Sequence, residues 1–253
     1  MRIASFHFLF AALLLAAATP RADAATADDG VLVIGALHDL HDSEPAFGYD
    51  QLRAAILAFA PDVLVIEVRP DELAERKATP GRPEYPAVVW PLLAHMEVES
   101  IAMEPGGEMF ETIAGEAGAA FAALKQRDPD GAAALSRLDS DIEQILLRYW
   151  QNAGQVQDAT TASLAGSVQA AQFVLVGPAF VAAQSRWDKH MADQTRQAVR
   201  NNPGKKMMVI GSYRNRAMLE TAVREIAPRR VLDASDWIGR LNPAKTVGDQ
   251  IGK

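Results

Sequence analysis

Two short, unbroken apolar runs constrain this chain more than any other feature: Val31-Leu32-Val33-Ile34-Gly35-Ala36-Leu37 and Val63-Leu64-Val65-Ile66. Both are rich in β-branched residues, too short for stable helices, and bounded by turn residues. Such runs read as strands of a parallel sheet buried on both faces. Each run leads directly into a residue able to do chemistry, His38 after the first and Glu67 after the second. In open α/β sheets, ligands collect beyond the carboxyl ends of the strands, so both side chains are expected at one crevice.

The rest of the chain alternates in the same way. Leu52, Ala55, Ile56 and Phe59 recur at three- and four-residue spacing and predict a helix over 49–60, ended by Pro61-Asp62. A short helix follows Pro70, another covers 87–96, and a third strand is expected over 98–103, closing on Glu104 and Pro105-Gly106-Gly107. Residues 108–171 are alanine-rich and helical in pattern, broken at Asp128-Pro129-Asp130-Gly131 and Asn152-Ala153-Gly154, and read as an all-helical insertion. A helix over 180–200, a strand over 206–211, a helix over 216–226 and a last short strand at Val231-Leu232 complete the order. The expected fold class is α/β: a mostly parallel sheet with flanking helices and an all-helical insertion in one domain, residues 25–253.

Arg2, the apolar run from Phe8 to Ala18 and the small-residue site Ala22-Asp23-Ala24 read as a secretory signal peptide over 1–24, cleaved after Ala24. The expected location is therefore periplasmic or secreted, with no stable membrane insertion after cleavage and no other segment of spanning length. The chain has no cysteine, which excludes thiolate chemistry and cysteine-ligated metals. Loss of Arg2, Arg21 and Asp23 moves the formal charge from -7 to -8. The basic residues are scattered among acids, so no nucleic-acid partner is expected; a small-molecule or peptide substrate is. The sequence leaves the oligomeric state open.

Gly35-Ala36-Leu37-His38, then Val65-Ile66-Glu67-Val68-Arg69-Pro70, then Gly211-Ser212-Tyr213-Arg214 come in order, each at a strand end. In this the chain resembles the TraB/GumN (PrgY) family, within the wider group of erythromycin esterase and ChaN-like haem-binding proteins. Arg214 stands where the family pattern has a second histidine. Arg186, Asp188 and Met191 partly match a further signature of the family on the preceding helix. The resemblance implies a pocket at the strand ends and, for some members, a metal-dependent peptidase or other hydrolase activity.

The leading expectation is an exported hydrolase in which His38 and Glu67 activate water and Arg214 orients the substrate or stabilises developing negative charge. His38, His41 and Glu67 form a possible Zn²⁺ or Mn²⁺ ligand set. Arg69, Glu104, Arg186 and His190 are candidate substrate contacts. Glu67 also has a plain structural reading, paired with Arg69 or Arg214. The alternative is a non-catalytic binding protein holding haem or an anionic metabolite through His38, Tyr213 and Arg214. An interaction role for the helical insertion is a third reading.

Overall fold

The computed structural model describes residues 29–77 and 80–241. The expected leader over 1–24 lies outside these residues. Four strands, β1 (Val31–Ala36), β2 (Val63–Ile66), β3 (Glu99–Ala102) and β4 (Met207–Ser212), form one all-parallel sheet in the order β1-β4-β2-β3. The strand formed last in the sequence is thus wedged between the first two. Residues 211–215 consequently emerge beside both His38 and Glu67, although they are distant from both along the chain.

The sheet is buried on both faces, as the unbroken apolar runs require. Leu32, Ile34, Leu64, Ile66, Met208 and Ile210 point into one core, and Val31, Val33, Val63, Val65, Met207 and Val209 into the other. Helix α1 (Tyr49–Phe59) covers the first face through Leu52, Ile56 and Phe59, helped by α10 (Ala234–Gly239). It ends where Ala60 takes a left-handed conformation, φ 47°, just before Pro61. Helix α2 (Pro70–Glu75) follows β2. The helix expected over 87–96 instead begins as one π-helical stretch, Tyr85–Val89, and continues into α3 (Trp90–Leu93), putting Tyr85, Val88 and Val89 into the first core.

Beyond β3 the chain is helical through α4 (Gly107–Arg127), α5 (Pro129–Tyr149), α6 (Ala153–Val156), α7 (Ala159–Val176) and α8 (Pro178–Asn201). The breaks are chemically marked. Asp128, Asn152 and Asp158 each accept a hydrogen bond from a backbone N–H of the following first turn, and Pro129 and Pro178 open helices where no N–H is needed. Helix α8 belongs to two layers. Phe180 packs with Ala120, Leu124 and Leu135 in the helical layer, whereas Met191, Ala198 and Val199 pack on the sheet beside Leu219 and Val223 of α9 (Arg216–Ile226). The helical region therefore merges into the sheet's own covering layer and does not end near 171. Two further expectations are corrected. Val231 forms a single bridge to Val31 in place of a strand. Residues 153–176 also reach spanning length and hydropathy by composition, although α7 lies against α5 and α8 and carries buried Ala165 and Val168.

Gly35 and Gly211 are cross-strand partners in the β1–β4 ladder. A Cβ on Gly35 would lie 2.6 Å from Tyr213 Cα, and one on Gly211 would lie 2.9 Å from Glu67 Oε2. The first obstacle is backbone, which has no side-chain freedom with which to yield. Gly35→Ala is expected to cost about 1–3 kcal/mol by overpacking, read as a lower urea midpoint with an unchanged denaturant slope.

Candidate functional site at the strand ends

Glu67 is the first residue after β2, and its N–H continues the ladder to Ile210 O at 3.0 Å. The side chain is buried at 3% exposure and turns toward β4. Its Oε2 accepts from the Ser212 N–H at 2.6 Å, and its Oε1 accepts from Asn215 Nδ2 at 3.0 Å. The absent Cβ of Gly211 leaves room for it and, more tightly, for Leu219 Cδ1.

A second carboxylate, Glu104, lies just beyond β3 and is equally buried. One guanidinium serves both. Arg82 donates from Nη2 to Glu104 Oε1 at 2.5 Å, lies 3.6 Å from Glu67 Oε1, and donates from Nη1 to the Glu67 carbonyl at 2.6 Å. The Tyr85 hydroxyl donates to the same carbonyl at 3.1 Å. Burial opposes the charge on Arg82, but the Glu104 hydrogen bond and the charges of Glu104 and Glu67 outweigh it and raise its pKa. Two buried carboxylates against one cation leave an excess of negative charge. Glu67 has neutral donors on both oxygens; Glu104 is the partner pushed up, to about 7, by burial and by the charge of Glu67, with Arg82 pulling the other way.

His38 follows β1 in a left-handed conformation, φ 55°, uncommon for a residue with a side chain. Its Nδ1 lies 2.7 Å from Glu84 Oε1, and Glu84 is fully buried. Against a carboxylate, Nδ1 is the nitrogen that carries a proton, and in the neutral tautomer Nε2 then holds the lone pair. Nε2 has no hydrogen-bond partner among the described residues. Glu84 Oε2 is buried and likewise lacks one. No contact joins His38 directly to Glu67; Arg82, Glu84 and Tyr85 lie within four consecutive residues and reach both strand ends.

His41 is not available as a metal ligand. Its Nδ1 donates to the Phe47 carbonyl at 2.7 Å and its Nε2 accepts from the Leu37 N–H at 2.9 Å. Both ring nitrogens are spent on backbone, and burial holds the ring's pKa below the ordinary histidine value. Its role is to pin the turn that carries His38. Among the described residues, no group of three or more His, Asp or Glu side chains converges in a way that would hold a metal ion. The expected His38, His41 and Glu67 ligand set is therefore not assembled, and no catalytic step is drawn through a metal.

The remaining candidates separate. Arg69 contacts Asp71 and Glu72 at the start of α2, stacks 4.3 Å over the Phe110 ring and lines a separate cavity of about 470 Å³, and Glu67 is paired with Arg82 instead. Arg186, paired with Glu116, and His190 line a groove of about 510 Å³ between α4 and α8. That groove shares no lining residue with a cavity of about 150 Å³ bordered by Arg214 and Asn215 beside Glu67. Tyr213 is buried, edge-on to Trp150, with Arg214 over its face. Arg214 Nη1 is 2.8 Å from Asp139 Oδ1 on α5. Of the three residues named for a haem, only Arg214 borders this cavity.

Sequence reading missed Arg82, Glu84, Tyr85 and Asn215. The trace of the first three was Gly81-Arg82-Pro83-Glu84-Tyr85-Pro86, a charged and aromatic segment read as loop through Pro83, with the next helix placed only from residue 87. Compared with known proteins, the chain matches no family model, no curated protein and no solved structure. The function is therefore argued from the residues.

Removing Arg82 would leave two buried carboxylates facing each other. Arg82→Met is expected to cost about 3–5 kcal/mol in urea unfolding, with part recovered in the double variant Arg82→Met, Glu104→Leu. The folded Glu104 carboxyl keeps its proton up to about pH 7, whereas the unfolded one releases it near 4.5, so the folded state holds more protons between those values. This contribution to stability falls as pH rises through that window and is level above it. Comparison of wild type with Glu104→Gln across pH 4.5–8 should isolate that slope; parallel curves would remove the proton from Glu104.

Proposed function

We propose that the protein is an exported hydrolase, peptidase- or esterase-like, in which His38 is the general base. The observation that carries this reading is the buried Glu84 carboxylate 2.7 Å from His38 Nδ1, which fixes the tautomer and presents Nε2 as acceptor. A carboxylate behind an imidazole is the arrangement that orients a base and pairs with the imidazolium formed when it takes a proton. The strained backbone at His38, held by the bonds of His41 to Leu37 and Phe47, supports the same role.

In this mechanism, Nε2 removes a proton from water as the water oxygen attacks the carbonyl carbon of the substrate. The tetrahedral intermediate then collapses, and the departing amine or alcohol receives the proton back from His38. The role expected of Glu67 changes. Both of its oxygens are hydrogen-bonded to the protein, so its task is to fix Ser212, Asn215 and the loop after β4 against the strand end. Export rests on the leader pattern in residues 1–24, and the hydrolase class also draws on the resemblance to TraB/GumN proteins.

With p-nitrophenyl esters and chromogenic peptides as substrates, His38→Asn is expected to lower kcat by about 10²–10⁴-fold. Glu84→Gln should lower kcat with little change in KM. Unchanged turnover in folded His38→Asn protein would exclude His38 as the base.

A further inference from the structure

Helix α7 is apolar along its second half except for two glutamines, Gln169 and Gln172, in the run Val168-Gln169-Ala170-Ala171-Gln172-Phe173-Val174-Leu175-Val176. Both border the 150 Å³ cavity, which Gln184 of α8 and the Arg214–Asn215 pair close from the other sides, over an apolar floor supplied by α7. We infer that this cavity is a binding site for a carboxamide group. On the hydrolase reading, on which this assignment of the group to the substrate rests, the amide that the cavity holds belongs to the substrate.

The argument comes from the polar atoms on offer. Gln184 Nε2 donates to Asp188 Oδ1 at 2.7 Å, and Gln169 Nε2 makes a longer contact of 3.5 Å to Asp188 Oδ2. With their amide nitrogens turned to Asp188, both glutamines keep carbonyl oxygens that no donor among the described residues satisfies. Gln172 makes no hydrogen bond among the described residues and offers both an acceptor and a donor. Arg214 adds N–H donors, its charge offset by Asp139. The wall is thus mixed in donors and acceptors and nearly neutral.

A carboxylate would meet the two glutamine carbonyls without an N–H to give them, and Asp188 and Glu67 lie directly behind the wall residues Gln184 and Asn215. An ammonium would have no acceptor for Gln172 or Arg214. A primary or secondary amide answers both needs with one planar group. The cavity lies at the end of β4, because Asn215 on its wall donates to Glu67 Oε1 at 3.0 Å, the carboxylate that fixes this loop.

The test is a titration of the mature chain with propionamide, propionate and n-propylammonium, followed by NMR of the glutamine side-chain amides. Saturable binding of propionamide is expected, with Kd about millimolar for so small a ligand, shifts at Gln172, and at least tenfold preference over both charged analogues. Gln172→Leu should weaken that binding at least tenfold, while His38→Asn should leave it within twofold. Equal or tighter binding of propionate or n-propylammonium, no saturable shift with propionamide, or no effect of Gln172→Leu would overturn the assignment. The two readings fail separately. Amide binding with hydrolysis insensitive to His38→Asn would sink the base assignment and keep the site, and the converse result would keep the base and remove the site.

Discussion

The arrangement depends on one guanidinium shared by two buried carboxylates. Without Arg82, Glu67 and Glu104 would bring like charges to the ends of adjacent strands in a part of the molecule with little water. With it, the ends of β2 and β3 are joined, and the backbone carbonyl of Glu67 is held as well. The neighbouring residues extend this clamp: Tyr85 to the same carbonyl, and Glu84 to His38 beyond β1. A segment with little regular structure at its start therefore fixes side chains at the ends of three strands. Its position is set in turn by burial of Tyr85, Val88 and Val89 against the sheet.

Burial sets the chemical character of each group. Arg82 stays charged because its partners are charged; Glu104 tends to hold a proton because its share of positive charge is too small for its depth; His41 is pushed toward its neutral form by burial. His38 differs from these in being partly exposed and in having one ring nitrogen committed and one without a partner. That difference separates His38 from the structural His41.

The sheet was legible in the sequence because burial on both faces leaves a continuous apolar run, and the chemistry-bearing residues directly after those runs fell where the strand ends placed them. The partners were not legible. Arg82 and Glu84 act through long-range contacts from a loop, and no local period marks a residue that reaches across three strand ends. His41 was read as a ligand because spacing shows which residues are near one another but not what each ring nitrogen binds. The boundary of the helical region was hidden for a related reason. Helix α8 changes partners halfway along, from Phe180 in the helical layer to Met191 and Val199 on the sheet, while keeping a single helical period throughout.

The paired glycines of β1 and β4 carry a separate consequence. Gly35 admits the backbone of Tyr213 and Gly211 admits the carboxylate of Glu67, so each is demanded by the shape of the junction and neither by a reaction. On the hydrolase proposal, a lineage that gave up catalysis but kept this sheet would keep both glycines while His38 and Glu84 drifted. For sorting related chains, the pair marks ancestry of the scaffold, and the imidazole with its buried carboxylate marks whether the proposed chemistry is retained.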